Sequence, residues 1–290
     1  TVIDKEWIQQ QDNENKREPI RKEGINRDLW IWKDPEPGKK YVMGVDVSTG
    51  QSDDFSAFSV ICLDGEEGEE QVAEYYGKLP PDELANFVWH AGIRYNAYVV
   101  IDITGGVGLP TSLKLKEMGY SQLHYPNGDT TKNPGFNIDS NRRIVVSELE
   151  ESIRTNRVKI RSERTISEMS TFVFRNGRPD HMVGYHDDLL WALAMGIYVA
   201  NTTFKEIQRN KNRSVAMMDS WMVTSSENTL IQSTKPKEER HLSSTTFATT
   251  DERNERFPEP MDPFRPMDSN VGPDVYKNYG WLFGGMGRKR

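Results

Sequence analysis

Three acidic positions, each at a border of apolar sequence, constrain this chain more than any other feature. Asp46 lies within Tyr41-Val-Met-Gly-Val-Asp-Val-Ser48, and Asp102 closes Tyr98-Val-Val-Ile-Asp102. Asp187 and Asp188 follow His186 and open the apolar stretch Leu189–Ala200. The two Val- and Ile-rich runs read as buried strands ending on acids, and the third stretch reads as a helix. Strand ends and a helix start can bring acids to one point. Clustered carboxylate oxygens suit a hard divalent cation such as Mg²⁺, and pairs of such ions serve in-line phosphodiester cleavage. A buried carboxylate without a partner is costly, so folding alone gives little reason for Asp46 in an apolar strand.

Composition narrows the setting. The 290 residues suffice for one sizeable domain with additional segments. The chain begins with Thr, as a fragment or processed product would, and shows neither a signal-peptide pattern nor an apolar run of membrane-spanning length. Its single cysteine, Cys62, lies in the apolar run Phe58–Leu63 and reads as a buried strand thiol. No intrachain disulfide is possible, which fits a reducing compartment. The formal net charge is −7. Any nucleic-acid binding therefore rests on a local patch or a tethered partner.

Three parts follow along the chain. Residues 1–38 are polar and charge-mixed, ending in Trp30-Ile-Trp-Lys-Asp-Pro-Glu-Pro-Gly38, and read as a linker from an upstream domain, with Trp30 and Trp32 available to dock. Residues 39–201 carry the periodic pattern. Strands are expected over 41–48, 55–63 and 71–79 as an antiparallel meander. A helix from 81 to about 95 then leads to a parallel strand over 98–103. Helices are expected over 109–118, 140–155, 162–170 and 187–200, short strands over 122–125 and 158–160, and a hairpin over 172–184 turning at Asn176-Gly177. Residues 202–290 lose the pattern and read as a disordered or extended polar tail, with an aromatic-glycine docking end at Tyr276–Gly285.

The expected order β-β-β-α-β-α-β-α, with acids closing the first and fourth strands and opening the last helix, resembles the RNase H-like fold: an α/β domain with a mixed sheet flanked by helices. Several strings narrow the resemblance to the nuclease domain of phage terminase large subunits. Gly44-Val-Asp-Val-Ser-Thr-Gly-Gln-Ser-Asp-Asp-Phe-Ser-Ala-Phe58 looks like the family's first acidic motif, with Asp46 and Asp54 in the acid positions. Asp102 with Thr104-Gly-Gly-Val-Gly108 looks like the second, where many relatives carry Glu. Glu168-Met-Ser-Thr-Phe172 resembles a Glu-Leu-x-x-Phe element, and His186-Asp-Asp-Leu189 matches the closing motif. The ordered matches cover about residues 41–200. Trp191 stands where many relatives carry another Asp. No G-x-x-x-x-G-K-[ST] string is present, so the packaging ATPase of the family is expected upstream.

The resemblance implies an endonuclease that cuts concatemeric double-stranded DNA with two Mg²⁺ or Mn²⁺ ions. Asp46, Asp102 and Asp187 would be the catalytic metal ligands. Asp188 also borders the metal, although first-turn acids stabilise a helix in their own right. Asp187 is the favoured direct ligand of the pair. Asp54 and His186 would support the site. Lys132, Arg142 and Arg143, around the open loop 127–137, are the candidate DNA contacts. His90, His124, His181 and His241 show no ligand spacing and receive no role. Expected partners are the upstream ATPase, the portal protein and the small terminase subunit, in the host cytoplasm at the procapsid portal, with no membrane. Two other readings stay open: an RNase H-like resolvase or transposase, and a non-catalytic packaging adaptor. An actin-like sugar kinase, suggested by Gly44–Gly50, would need a second Gly-rich phosphate loop that the polar tail does not supply.

Overall fold

The computed structural model describes residues 1–51 and 54–204. Almost all of the polar tail, with its aromatic end, lies outside the described residues. So does His241.

A seven-stranded mixed sheet carries the fold. Its strands are β1 (Arg21–Glu23), β2 (Leu29–Ile31), β3 (Tyr41–Asp46), β4 (Ser56–Gly65), β5 (Gly68–Gly77), β6 (Ala97–Ile101) and β7 (Val158–Lys159). Their spatial order is β1-β2-β5-β4-β3-β6, with β7 joined to β5. The meander β3-β4-β5 is antiparallel, whereas β6 lies parallel to β3 after helix α2 (Pro81–Tyr95). A parallel neighbour needs such a crossover. Helix α3 (Leu109–Glu117) follows β6, and α4 (Ile138–Arg154), α5 (Glu163–Thr171) and α6 (Asp188–Val199) come later. Strands β8 (Phe172–Arg175) and β9 (Arg178–His181) form a separate hairpin turning at Asn176 and Gly177, as the sequence leads one to expect.

Strand alternation sorts residues to the two faces of the sheet. Tyr41, Met43 and Val45 of β3 and Ala97, Val99 and Ile101 of β6 share one core with Leu84, Phe87 and Val88 of α2 and Leu115 of α3. The intervening residues therefore face the other way. Ala57, paired with Asp46 across β4, packs there against Leu189 and Ala192 of α6. The register Val45↔Ile101 places Asp46 and Asp102 side by side on that second face.

Helix α6 comes unusually close to β3. A Cβ added to Gly44 would overlap the carbonyl oxygen of Ala192 and stand 3.0 Å from the amide nitrogen of Gly196. Both obstacles are backbone. Two residues along the strand from Gly44 is Asp46, and one helical turn back from Ala192 is Asp188. These steps are comparable, about 6.6 Å and about 6 Å, so the crossing that brings Gly44 to Ala192 brings Asp46 to Asp188.

Three expectations change. The segment 1–38, read as a linker, is part of the domain to this extent: β1 and β2 extend the sheet, and α1 (Lys5–Gln10) packs on α5. Ile3, Leu29 and Ile31 are fully buried. The segment is held by polar contacts that composition does not reveal. Lys33 and Arg161 both pair with the buried Glu70, at 2.6 and 3.0 Å, and Arg161 donates to the Asn15 carbonyl. The short strand at 122–125 reduces to a single bridge, Val99↔Leu123, because the chain leaves the sheet edge at once. Asp187 precedes α6 as its N-cap residue, and Asp188 is the first helical residue.

Gly44→Ala is expected to destabilise the domain by about 3 kcal/mol, the upper range for overpacking, because a backbone carbonyl cannot rotate away. Urea unfolding checks this; an unchanged midpoint and slope would mean that α6 has room to retreat.

Candidate metal centre

Each acid is delivered by a different element. Asp46 ends β3, and its neighbours Val45 and Val47 are buried in the core. Burial pushes its carboxyl well above the ordinary value, helped by the charges of Asp102, then Asp188, then Asp187. Asp102 follows β6 directly, its amide donating to the Val45 carbonyl at 2.9 Å. Burial raises its pKa, and hydrogen bonds from Thr104 oppose the rise. The Thr104 amide and hydroxyl both donate to Asp102 Oδ1, at 2.9 and 2.5 Å. That hydroxyl also accepts from the Ile138 amide at the start of α4. One carboxylate oxygen is thereby anchored through Thr104 to α4. The following loop must turn back tightly: a Cβ on Gly108 would overlap the Asp102 carbonyl, which accounts for glycine at the end of Thr104-Gly-Gly-Val-Gly108.

Asp187, the N-cap residue, and Asp188, the first helical residue, have different partners. Asp187 Oδ1 accepts from His181 Nδ1 at 3.0 Å, and Oδ2 accepts from Trp191 Nε1 at 2.9 Å. Both of its oxygens are thus engaged by protein. Asp188 accepts from the Phe55 amide, while its Oδ2 is buried without a hydrogen-bond partner. Burial, then Asp187, then Asp54 push the Asp188 carboxyl up to about 7. Glu168, buried on α5, accepts from the Leu190 amide at 2.9 Å and so caps α6. Its pKa is raised well above the usual value, chiefly by burial.

Asp54 stands just before β4, close enough for its charge to act on Asp188. His186 Nδ1 lies 3.8 Å from Asp188 Oδ2, and the ring meets Phe55 edge-on at 5.4 Å. Of the candidate DNA contacts, Arg143 is exposed on α4 and Lys132 lies 3.7 Å from Asp129. Arg142 is occupied: it contacts Asp139, donates to the Pro179 carbonyl and stacks over Trp191 at 4.5 Å.

Sequence reading missed His181. Its Nδ1 lies 3.0 Å from Asp187 and 3.3 Å from Asp180, and these three residues offer ligand atoms within 4.8 Å of one another. The signal was indirect. The hairpin turn at Asn176-Gly177 pairs His181 with Phe172, but nothing local fixes how the hairpin sits against α6. Thr104 was also missed, because its role depends on the approach of Ile138, 34 residues further on.

The donor set fits a hard cation. Asp46, Asp102 and Asp188 supply only oxygens, burial raises the pKa of each, the charges of Asp102 and Asp188 add to the rise at Asp46, and Asp188 Oδ2 lacks a protein donor.

No protein-family model matches the chain. Solved structures of similar fold include the large terminase nuclease from thermophilic phage G20c with bound magnesium, at TM-score 0.51 and 20% identity, covering 66% of this chain and 96% of that one. The same nuclease with bound cobalt matches at TM-score 0.50 and 20% identity, covering 63% and 92%. The large terminase nuclease domain of Thermus phage P74-26 matches at TM-score 0.50 and 19% identity, covering 66% and 93%. The fold is that of phage large terminase nuclease domains, an RNase H-like mixed sheet flanked by helices.

Without divalent cations, stability is expected to fall as pH rises from about 4 to about 7. Asp188 titrates near its ordinary value when unfolded but at about 7 when folded. The native state therefore binds the extra proton within that window, and raising the pH removes its advantage. Melting temperatures in a chelator, compared between the parent and Asp188→Asn, check the sign: the parent should lose more on going from pH 5 to 7.

Proposed function

We propose that this domain is the metal-dependent endonuclease of a viral DNA-packaging terminase, cutting concatemeric double-stranded DNA by hydrolysis with two Mg²⁺ or Mn²⁺ ions. The observation that carries the reading is the meeting of Asp46, Asp102 and Asp188 on one sheet face, with Asp188 Oδ2 buried and unpartnered. The fold shared with terminase nucleases supports it.

Asp46, Asp102 and Asp188 would hold the ions. Asp187 then serves beside the ligands, tying Asp188 to the hairpin through His181, rather than as the favoured ligand of the pair. When bound, the cations supply Lewis-acid charge for the phosphoryl oxygens and lower the pKa of water. The chain's own residues orient the acids: Thr104 fixes Asp102, the Phe55 amide fixes Asp188, and Glu168 fixes the start of α6. The reading brings with it an upstream packaging ATPase, the portal protein and the small terminase subunit as partners, and action at the procapsid portal in the host cytoplasm.

Asp46→Asn should lower plasmid nicking in Mg²⁺ or Mn²⁺ more than about 100-fold, beyond the usual effect of losing a group behind the ligands. It should also remove the rise in melting temperature that millimolar cation gives the parent. A cation at 100 times its Kd stabilises by about 2.7 kcal/mol, several degrees for a domain of this size. Nicking that survives in folded Asp46→Asn would overturn the proposal, and a parent that binds cation but never nicks would favour the adaptor.

Thr104→Val, which keeps shape but loses the hydroxyl, should weaken Mg²⁺ binding by about 10-fold, in the range for a residue that orients a ligand. Thr104→Ser should restore most of it. Calorimetric titration reads the difference, and equal affinity in Val and Ser variants would remove Thr104 from the site.

A further inference from the structure

Between the hairpin and helix α6 the chain sets out a short apolar turn. Met182, Val183 and Tyr185 are 45%, 78% and 53% exposed, and Gly184 among them is exposed as well. Single apolar residues are common on protein surfaces. A run of them at a turn is not, because turns favour Gly, Pro, Asn, Asp and Ser, and consecutive exposed apolar residues add no burial to the fold.

The turn is held in place from several sides. Its closing bond runs from the Tyr185 amide to the Met182 carbonyl at 3.0 Å, with Gly184 at φ +84°, the left-handed conformation that its place in a tight turn requires. The Met182 amide donates to the carbonyl of Thr171, at the end of α5, also at 3.0 Å. The two flanks are tied together by the 3.0 Å contact between His181 Nδ1 and Asp187 Oδ1. His186, which follows Tyr185, packs edge-on against Phe55. The exposed side chains therefore stand on a fixed base.

Their position gives them a use. Tyr185 precedes Asp188 by three residues, so its Cα lies within about 11 Å of that acid's, the span of three extended residues. Along a DNA strand this covers about three nucleotides at roughly 3.4 Å each. Residues 179–188 contain three Asp and no Lys or Arg, so the turn offers no fixed positive charge to a phosphate. Base faces, by contrast, are uncharged. Apolar side chains such as Met part stacked bases from a groove, and aromatic rings stack on them.

We propose that the Met182–Tyr185 turn is an apolar wedge that contacts the bases of the DNA duplex within about three nucleotides of the cleaved bond and unstacks a step there. The proposal rests on the nuclease reading above. A kink at this point turns the strand toward Asp46, Asp102 and Asp188, which are themselves partly buried.

The test uses the full chain with Asp46→Asn as the parent, so that binding is read without cleavage. Anisotropy of a short fluorescent duplex is measured across a salt series, and 2-aminopurine placed at successive positions of the duplex reports unstacking. Tyr185→Ser should weaken binding about tenfold, within the range for one lost base–aromatic contact. The factor should be the same at every salt concentration, because no phosphate contact is lost and the slope of log K against log salt stays unchanged. Val183→Ser should weaken binding less. Both variants should reduce the 2-aminopurine signal that the parent gives, and Tyr185→Phe should restore signal and affinity. A duplex with a central mismatch, where unstacking is less costly, should bind Tyr185→Ser nearly as well as it binds the parent. Melting temperatures should agree across the series. Unchanged affinity in both Ser variants overturns the wedge and leaves the turn to a protein partner. An affinity loss with a lowered salt slope, or an equal loss in Tyr185→Phe and Tyr185→Ser, also overturns it. In each of these cases a parent that binds DNA leaves the nuclease reading standing. A parent with no salt-dependent DNA binding overturns the wedge and the nuclease reading together.

Discussion

The contact between Gly44 of β3 and the Ala192 carbonyl of α6 fixes the distance on which the site depends. No side chain intervenes, so the separation of strand and helix is set by backbone atoms. Asp46 and Asp188 are the next positions along the two elements, and they inherit that spacing. The arrangement costs stability. A carboxyl moved from its ordinary 3.8 to about 7 corresponds to a penalty on the order of 4 kcal/mol when ionised. Helix α6 offsets this by burial: Leu189, Leu190, Leu193, Met195 and Ile197 are all at most 1% exposed, and each such side chain contributes about 1.5–3 kcal/mol. Packing of the helix can therefore hold like charges together in the absence of a counterion.

The two adjacent acids at the start of α6 have different surroundings, because Asp187 is the N-cap residue and Asp188 the first residue of the helix. Asp188 faces the sheet and Asp46. Asp187 faces the hairpin and is satisfied by an imidazole and an indole. Trp191 is central to this division. It stands where relatives of the resembled family often carry another acid, yet here its indole nitrogen donates to Asp187 and its face supports Arg142. Arg142 in turn reaches the Pro179 carbonyl in β9. Hairpin, α4 and α6 are thus joined through one aromatic side chain.

Much of this was legible in the sequence, for identifiable reasons. The meander, the parallel β6, helices α2 to α6 and the hairpin follow from apolar periodicity and turn residues, which are local signals. Asp46 and Asp102 stood out because acids are expensive in apolar strands. Which of Asp187 and Asp188 turns toward Asp46 was not legible: it depends on how α6 is set against Gly44. The role of residues 1–38 was hidden for a different cause. Their strands are three residues each, and their attachment runs through buried charges such as Glu70, which pattern reading assigns to solvent. His181 was discounted because histidine spacing was sought only among histidines, whereas its partners are Asp180 and Asp187.

The same charge accounting bears on how such a domain holds its substrate. Many cations that look available in the sequence are consumed by the fold: Arg161 by Glu70, Arg164 by Glu74, and Arg157 by Glu148. Nonspecific DNA affinity grows with the number of phosphates neutralised, and each contact changes the salt dependence by about 0.9 in log–log slope. A site served by a few rim cations such as Arg143 then binds DNA weakly by itself. Under the proposed function that weakness is an advantage: a nuclease that travels with a packaging motor meets DNA at a high effective concentration supplied by its tether, and low intrinsic affinity lets the duplex pass until the acids are placed to cut.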